Sequence, residues 1–145
     1  CRIDLSQQKP GVDGCGVPVW SIPLNHLATG WSQLGSRGAG RRLLQAMVGE
    51  PFLVAGSGRA CTRLMESADG AAAVKTGAEG VFCGVDLREG FAFALKARDG
   101  HPRAAEMAAE WILDRLDCID HAPSKVLTNW AGTNIGEIRI APKTP

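Results

Sequence analysis

Phe91-Ala92-Phe93-Ala94-Leu95-Lys96 alternates large with small side chains, and this period of two constrains the chain more than any other feature. A strand sends successive side chains to opposite faces, so Ala92 and Ala94 form a low face on which a helix can lie close. Val81, Phe82, Cys83 and Val85 precede it as a second strand, and Asp86 to Gly90 reads as the hairpin loop between them, with glycine at its end. Ala71–Val74, leading into Lys75-Thr76-Gly77, supplies a third strand. Asp99-Gly100 then turns the chain, Pro102 suits a first helical turn, and residues 103–117 carry the clearest helical pattern. Ala105, Ala108, Ile112 and Leu116 are expected to form its buried stripe, with Glu106, Glu110 and Asp114 on a solvated face.

Upstream, Pro10-Gly11, Asp13-Gly14, Gly16 and Pro18 mark residues 1–22 as loop, with a short strand expected at Arg2–Leu5. Leu24, Leu27, Ala28, Trp31 and Leu34 recur at helical spacing between Pro23 and Gly35. Further helices are predicted at about 41–48 and at Arg59–Ser67. Residues 118–134 read as loop and Gly136–Ile140 as a closing strand. The fold class that follows is α/β in the α+β sense: an antiparallel sheet packed by helices.

The bulk properties narrow the function classes. With 145 residues, 45% hydrophobic and 21% charged, the chain has globular composition and the length of one ordinary domain. A net charge of +1, with Arg41-Arg42 as a mere pair, provides no field for a phosphate backbone or an anionic membrane. Nucleic acid and membrane partners are not expected. Neither a signal peptide nor an apolar run of spanning length is seen. Five cysteines at 1, 15, 61, 83 and 118 leave one over and lack the density of a disulfide framework, so reduced thiols and a cytoplasmic location are expected. Because the chain starts at Cys1 rather than Met, an upstream segment is expected to have been removed or to belong to another chain.

Lys75-Thr76-Gly77 entering a strand is the strongest chemical signal. Serine–lysine acyl-transfer enzymes of the β-lactamase and penicillin-binding type carry Lys-Thr-Gly on an edge strand, with the ammonium beside the nucleophilic serine. Such enzymes also need Ser-x-x-Lys at the start of a helix. Ser6-Gln7-Gln8-Lys9 matches by letters, but Pro10 drives Lys9 away from the helical region, so the match is a decoy and the nucleophile is expected upstream. Asp13-Gly14-Cys15-Gly16 flanks a thiol with glycines; from spacing alone it is a turn whose cysteine packs as a small hydrophobe. Cys61, Cys83 and Cys118 read as core, Trp20, Trp31 and Trp111 fall at apolar-patterned positions, and Trp130 follows Asn129 in a loop. His26, His101 and His121 read as surface or capping residues.

Taken together, VDGCGVPVWSIPL (12–24), KTGAEGVFCGV (75–85), ALKARDGHPRAAE (94–106) and GEIRI (136–140) resemble the L-asparaginase II, or rhizobial-type, family, in the C-terminal part of such proteins. The resemblance implies a fold like serine β-lactamases and glutaminases, of which residues 1–145 would be an incomplete C-terminal portion. It implies hydrolysis of L-asparagine to aspartate and ammonia by a serine–lysine mechanism. It further implies Lys75 as the lysine paired with the catalytic serine, and Thr76, Gly77 and Glu79 at the substrate. Cys15 would be a zinc ligand, and Asp13 would orient the site without touching the metal. The family's Ser-x-x-Lys, second serine and further Cys and Lys at the metal would come from an N-terminal half or a companion chain, and a homodimer is admitted. Two rival readings are a hydrolase using Cys1 as N-terminal nucleophile, with Cys1–Leu5 as its first strand, and a non-catalytic binding or assembly domain.

Overall fold

A computed structural model describes residues 1–36, 38–120 and 124–141. Its centre is a three-stranded antiparallel sheet, β3-β4-β5, preceded by a small hairpin of β1 (Gly11–Val12) and β2 (Pro18–Val19). The central strands are β3 (Ala72–Thr76), β4 (Val81–Asp86) and β5 (Ala92–Lys96). Four helices run between β2 and β3: α1 (Leu24–Ser36), α2 (Gly38–Gly49), α3 (Pro51–Ala55) and α4 (Ala60–Ser67). After β5 come α5 (Pro102–Arg115) and a second hairpin, β6 (Ser124–Thr128) with β7 (Asn134–Arg139).

The period of two sorts the central sheet into two faces, each with its own core. Ala73, Val85 and Ala92 form one cross-strand row and pack with Leu44, Met47 and Val48 of α2 and Trp31 of α1. Val74, Phe82, Phe93 and Leu95 point the other way, into a larger core with Leu64 and Met65 of α4 and Ala105, Ala109 and Leu113 of α5. The small face of β5 does receive α1, as the alternation predicts. Gly84 makes room for Phe93: a Cβ there would lie 2.7 Å from the Phe93 ring and 2.8 Å from Val74 Cγ1. The β4–β5 loop closes as expected, with the Phe91 carbonyl accepting from the Asp86 amide at 2.8 Å and Gly90 at φ +76°.

Several sequence expectations shift. Arg2–Leu5 forms no strand, and Arg2 sits at φ +51°, in the left-handed region that breaks an extended ladder. Helix α3 lies in a stretch to which no element was assigned, and strand β6 is present where 118–134 was expected to be loop. In α5 the fully buried positions are Ala105, Ala109 and Leu113, so the stripe is turned from the expected Ala108, Ile112 and Leu116, which are half-buried. Glu110 is not on a solvated face: it is 8% exposed, and its carboxylate accepts from Arg63 Nη1 of α4 at 2.9 Å. Four alanines in α5 leave its faces nearly equivalent by letters, and the partner on α4 is what turns Glu110 inward. Trp111 is a surface residue stacked 5.5 Å from the Arg115 guanidinium, and Trp130 is fully exposed at a hairpin tip.

Candidate active site

Lys75 stands in the row Lys75–Cys83–Ala94 across the central sheet, one residue from the end of β3. The side chain is exposed, and Nζ donates to the Thr76 carbonyl at 2.8 Å. No carboxylate pairs with it among the described residues. Beyond it, Thr76 Oγ1 donates to the Gly77 carbonyl at 3.3 Å, and Gly77 N donates to the Val81 carbonyl at 2.8 Å, closing a tight turn into β4. Glu79 and Gly80 both hold positive φ in that turn, and Glu79 Oε2 reaches over Gly100 of the neighbouring turn. Lys75, Thr76, Gly77 and Glu79 are thus gathered at one end of β3, an outer strand of its sheet.

A thiol buttresses this end. The Thr76 amide donates to Cys61 Sγ of α4 at 3.1 Å, and Cys61 is 1% exposed. Burial raises the Cys61 thiol above its usual pKa; the Thr76 amide and the charges of Lys75 and Arg59 offset this only in part. Burial alone pushes Cys83 up to about 11. Both therefore stay protonated near neutrality, as core cysteines should. No sequence pattern links positions 61 and 76, so only the fold brings this contact to light.

Asp13 and Cys15 lie on the β1–β2 hairpin. Asp13 Oδ1 accepts from the amides of Cys15 and Val17, each at 2.9 Å, so the carboxylate shapes the loop from within. Cys15 is exposed and unpaired at the loop's tip, which corrects the spacing-only reading of it as a packed hydrophobe. No hydrogen bond or ion pair joins this loop to Lys75, and no three His, Cys, Asp or Glu side chains converge, among the described residues. The donor chemistry still suits zinc at one corner: an accessible soft thiol held on a fixed loop.

The remaining candidates are placed plainly. Ser6–Lys9 forms a turn, with the Asp4 carboxylate accepting from the Ser6 amide, and no helix aligns Ser6 with Lys9. Cys1 lies against Gly30 of α1, its carbonyl accepting from His26 Nδ1 at 2.9 Å, so it opens no strand. His101 caps α5 by accepting from the Arg103 amide at 3.1 Å, and His121 lies outside the described residues. A cleft of about 450 Å³ between α1 and β5, lined by Arg2, Asn25, Thr29, Ser32 and Gln33, is built from other residues than this lysine strand.

A family model described as L-asparaginase II matches residues 1–140. The chain belongs to the L-asparaginase II family. Comparison with curated proteins gave no match. Membership makes asparagine hydrolysis the family reaction, and the matched stretch includes the Lys75 strand, the Asp13–Cys15 loop and the Cys61 contact. No helix among the described residues is long and apolar enough to cross a membrane.

Proposed function

We propose that the chain serves the hydrolysis of L-asparagine to L-aspartate and ammonia through a serine–lysine mechanism, with Lys75 as the charged member on this side of the site. The carrying observation is an exposed ammonium at the end of β3, without a carboxylate partner among the described residues, in a chain of the L-asparaginase II family. The only Ser-x-x-Lys that fits by letters lies in a turn, so the serine is supplied by protein outside this stretch, covalently upstream or on a companion chain. Its Oγ would attack the side-chain amide carbon, release ammonia and leave an acyl-enzyme that water resolves. Lys75 Nζ stabilises the charge that develops there or relays the serine's proton. Thr76, Gly77 and Glu79, at the same end of the strand, would shape the substrate's seat.

Cys15 would hold a zinc ion together with donors from outside this stretch, and Asp13 would keep the loop in the shape that presents the thiol. Zinc bound there would supply a positive charge that anchors and polarises substrate oxygen. The antiparallel sheet between helix layers agrees with a β-lactamase-like frame. A cytoplasmic setting suits five unpaired thiols.

The test is turnover of Lys75 variants in the intact protein. Lys75→Ala is expected to lower ammonia release ~10²–10⁴-fold, the range of a positioned acid–base group. Lys75→Arg should not rescue it, because a guanidinium stays protonated. Melting should be unchanged, since Lys75 is exposed. Near-normal turnover in Lys75→Ala would sink the assignment.

A further inference from the structure

We propose that Cys61 is a positioning residue for the candidate active-site strand: its buried sulfur accepts the Thr76 amide and so fixes where β3 presents Lys75. The inference rests on the reading of Lys75 given above.

The strand has one partner, β4, and antiparallel pairing uses only alternate amides of a strand. At the end of β3 the Gly77 amide goes to Val81 of the β4 side, whereas the Thr76 amide points away from β4. An amide on an outer edge normally goes to water or to an added strand. Here α4 covers it. Ala60, Cys61, Leu64 and Met65 are buried in the core that includes Ala72 and Val74 of β3, and Cys61 Sγ meets the Thr76 amide at 3.1 Å. The backbone carbonyls of a helix are already used within it, so a side chain must supply the acceptor, and here it is the thiol sulfur.

Two consequences follow for the site. The end of β3 is pinned immediately after Lys75, and Lys75 Nζ in turn donates to the carbonyl of the same Thr76. Both polar groups of the Thr76 backbone are therefore committed, one to Cys61 and one to Lys75. An extended peptide adding to this edge would need that amide, so the arrangement favours a small free amide as substrate. Loss of the sulfur would leave a part-buried N–H without its acceptor, and the strand end would move to satisfy it.

The experiment compares Cys61→Ala, Cys61→Val and Cys61→Ser in the intact protein, with Lys75→Ala alongside. Alanine and valine remove the acceptor; valine also keeps the volume filled, and serine keeps a hydrogen-bond acceptor. Displacing a reacting group by about an ångström costs up to about 100-fold, so kcat on asparagine should fall roughly tenfold or more in Cys61→Ala and Cys61→Val. KM should change little, and Cys61→Ser should recover most of kcat. Melting curves separate this from unfolding, and Cys61→Val decides if Cys61→Ala does not fold. Wild-type kcat in a folded Cys61→Val, or a serine variant no better than valine, overturns the positioning role while leaving Lys75 in place. Normal turnover in Lys75→Ala overturns the site itself, and this inference with it.

Discussion

Asp13 and Asn129 solve the same problem with the same atoms. Asp13 Oδ1 accepts from the amides two and four residues on, and Asn129 Oδ1 does likewise with Ala131 and Thr133 at 3.0 and 2.9 Å. In each loop a glycine follows three residues later, at φ +78° and +79°, where a side chain would be strained. Asparagine thus shapes this loop as well as aspartate does, which sets the expectation for substitutions. Asp13→Asn should leave zinc content and turnover of the intact protein near wild type, since the loop that presents Cys15 keeps its shape. Cys15→Ser should lose most of the zinc, because a hydroxyl is a poor substitute for a soft thiolate. Metal analysis decides both; unchanged stoichiometric zinc in Cys15→Ser would remove that residue from a metal site. Alkylation adds a second readout, with Cys1 and Cys15 reacting in the folded chain while Cys61, Cys83 and Cys118 wait for unfolding. Zinc should protect Cys15.

Elements whose pattern comes from one local period were legible in the sequence. β3, β4 and β5 sit within a residue or two of their expected bounds, and α4 and α5 nearly so. Features that depend on a distant partner were not. The face of α5 was misassigned because Ala104, Ala105, Ala108 and Ala109 carry almost no directional signal, and Arg63 on α4 is what draws Glu110 in. β6 was missed although Lys125–Thr128 followed by Asn129 and Gly132 repeats the turn signal of the first hairpin. The same division holds for the site. Lys75-Thr76-Gly77 stands out by its letters and Asp13–Cys15 only through the family resemblance, whereas Cys61 reads as anonymous core until α4 is laid on β3. Gly84 offers a test of that packing at the element scale. It pairs with Val74 and Phe93 across the sheet, and an added methyl would press on both. Gly84→Ala should therefore destabilise by about 1–3 kcal/mol, as overpacking does. A lowered urea midpoint is the expected result, and an unchanged one would mean that the half-buried Phe93 ring simply swings aside.

At the scale of the whole molecule, one side chain adds a polar tie to the core that the central sheet and α5 share. Arg88, in the β4–β5 turn, donates through Nε and Nη2 to the Asp86 carboxylate, through Nη2 to the Leu116 carbonyl at 2.8 Å, and through Nη1 to that of Asp117. The last two lie where α5 ends, and Asp117 is held there at φ +53°, a costly conformation for a residue with a side chain. Cys118 Sγ completes the ring of acceptors at 3.3 Å from Nη2. Asp86 is 1% exposed. Burial by itself would raise its pKa, but the hydrogen bonds from the Arg88 side chain and amide outweigh that and hold the carboxyl below its ordinary value. The direction fixes the pH dependence. A carboxyl whose folded pKa lies below its unfolded one stabilises the fold fully above the unfolded value, about 3.9. That contribution drains away as pH falls through the folded value. Asp86→Asn keeps the shape but not the charge, and hydrogen bonds to a charged group contribute roughly 1.5–3 kcal/mol, so a loss of about 2 kcal/mol is expected at pH 7. Urea unfolding of wild type and variant should show a constant gap from pH 7 to about 5, narrowing below about pH 4. A gap that persisted at low pH would assign the loss to packing around Asp86 rather than to its charge, and the clasp would then be steric rather than electrostatic.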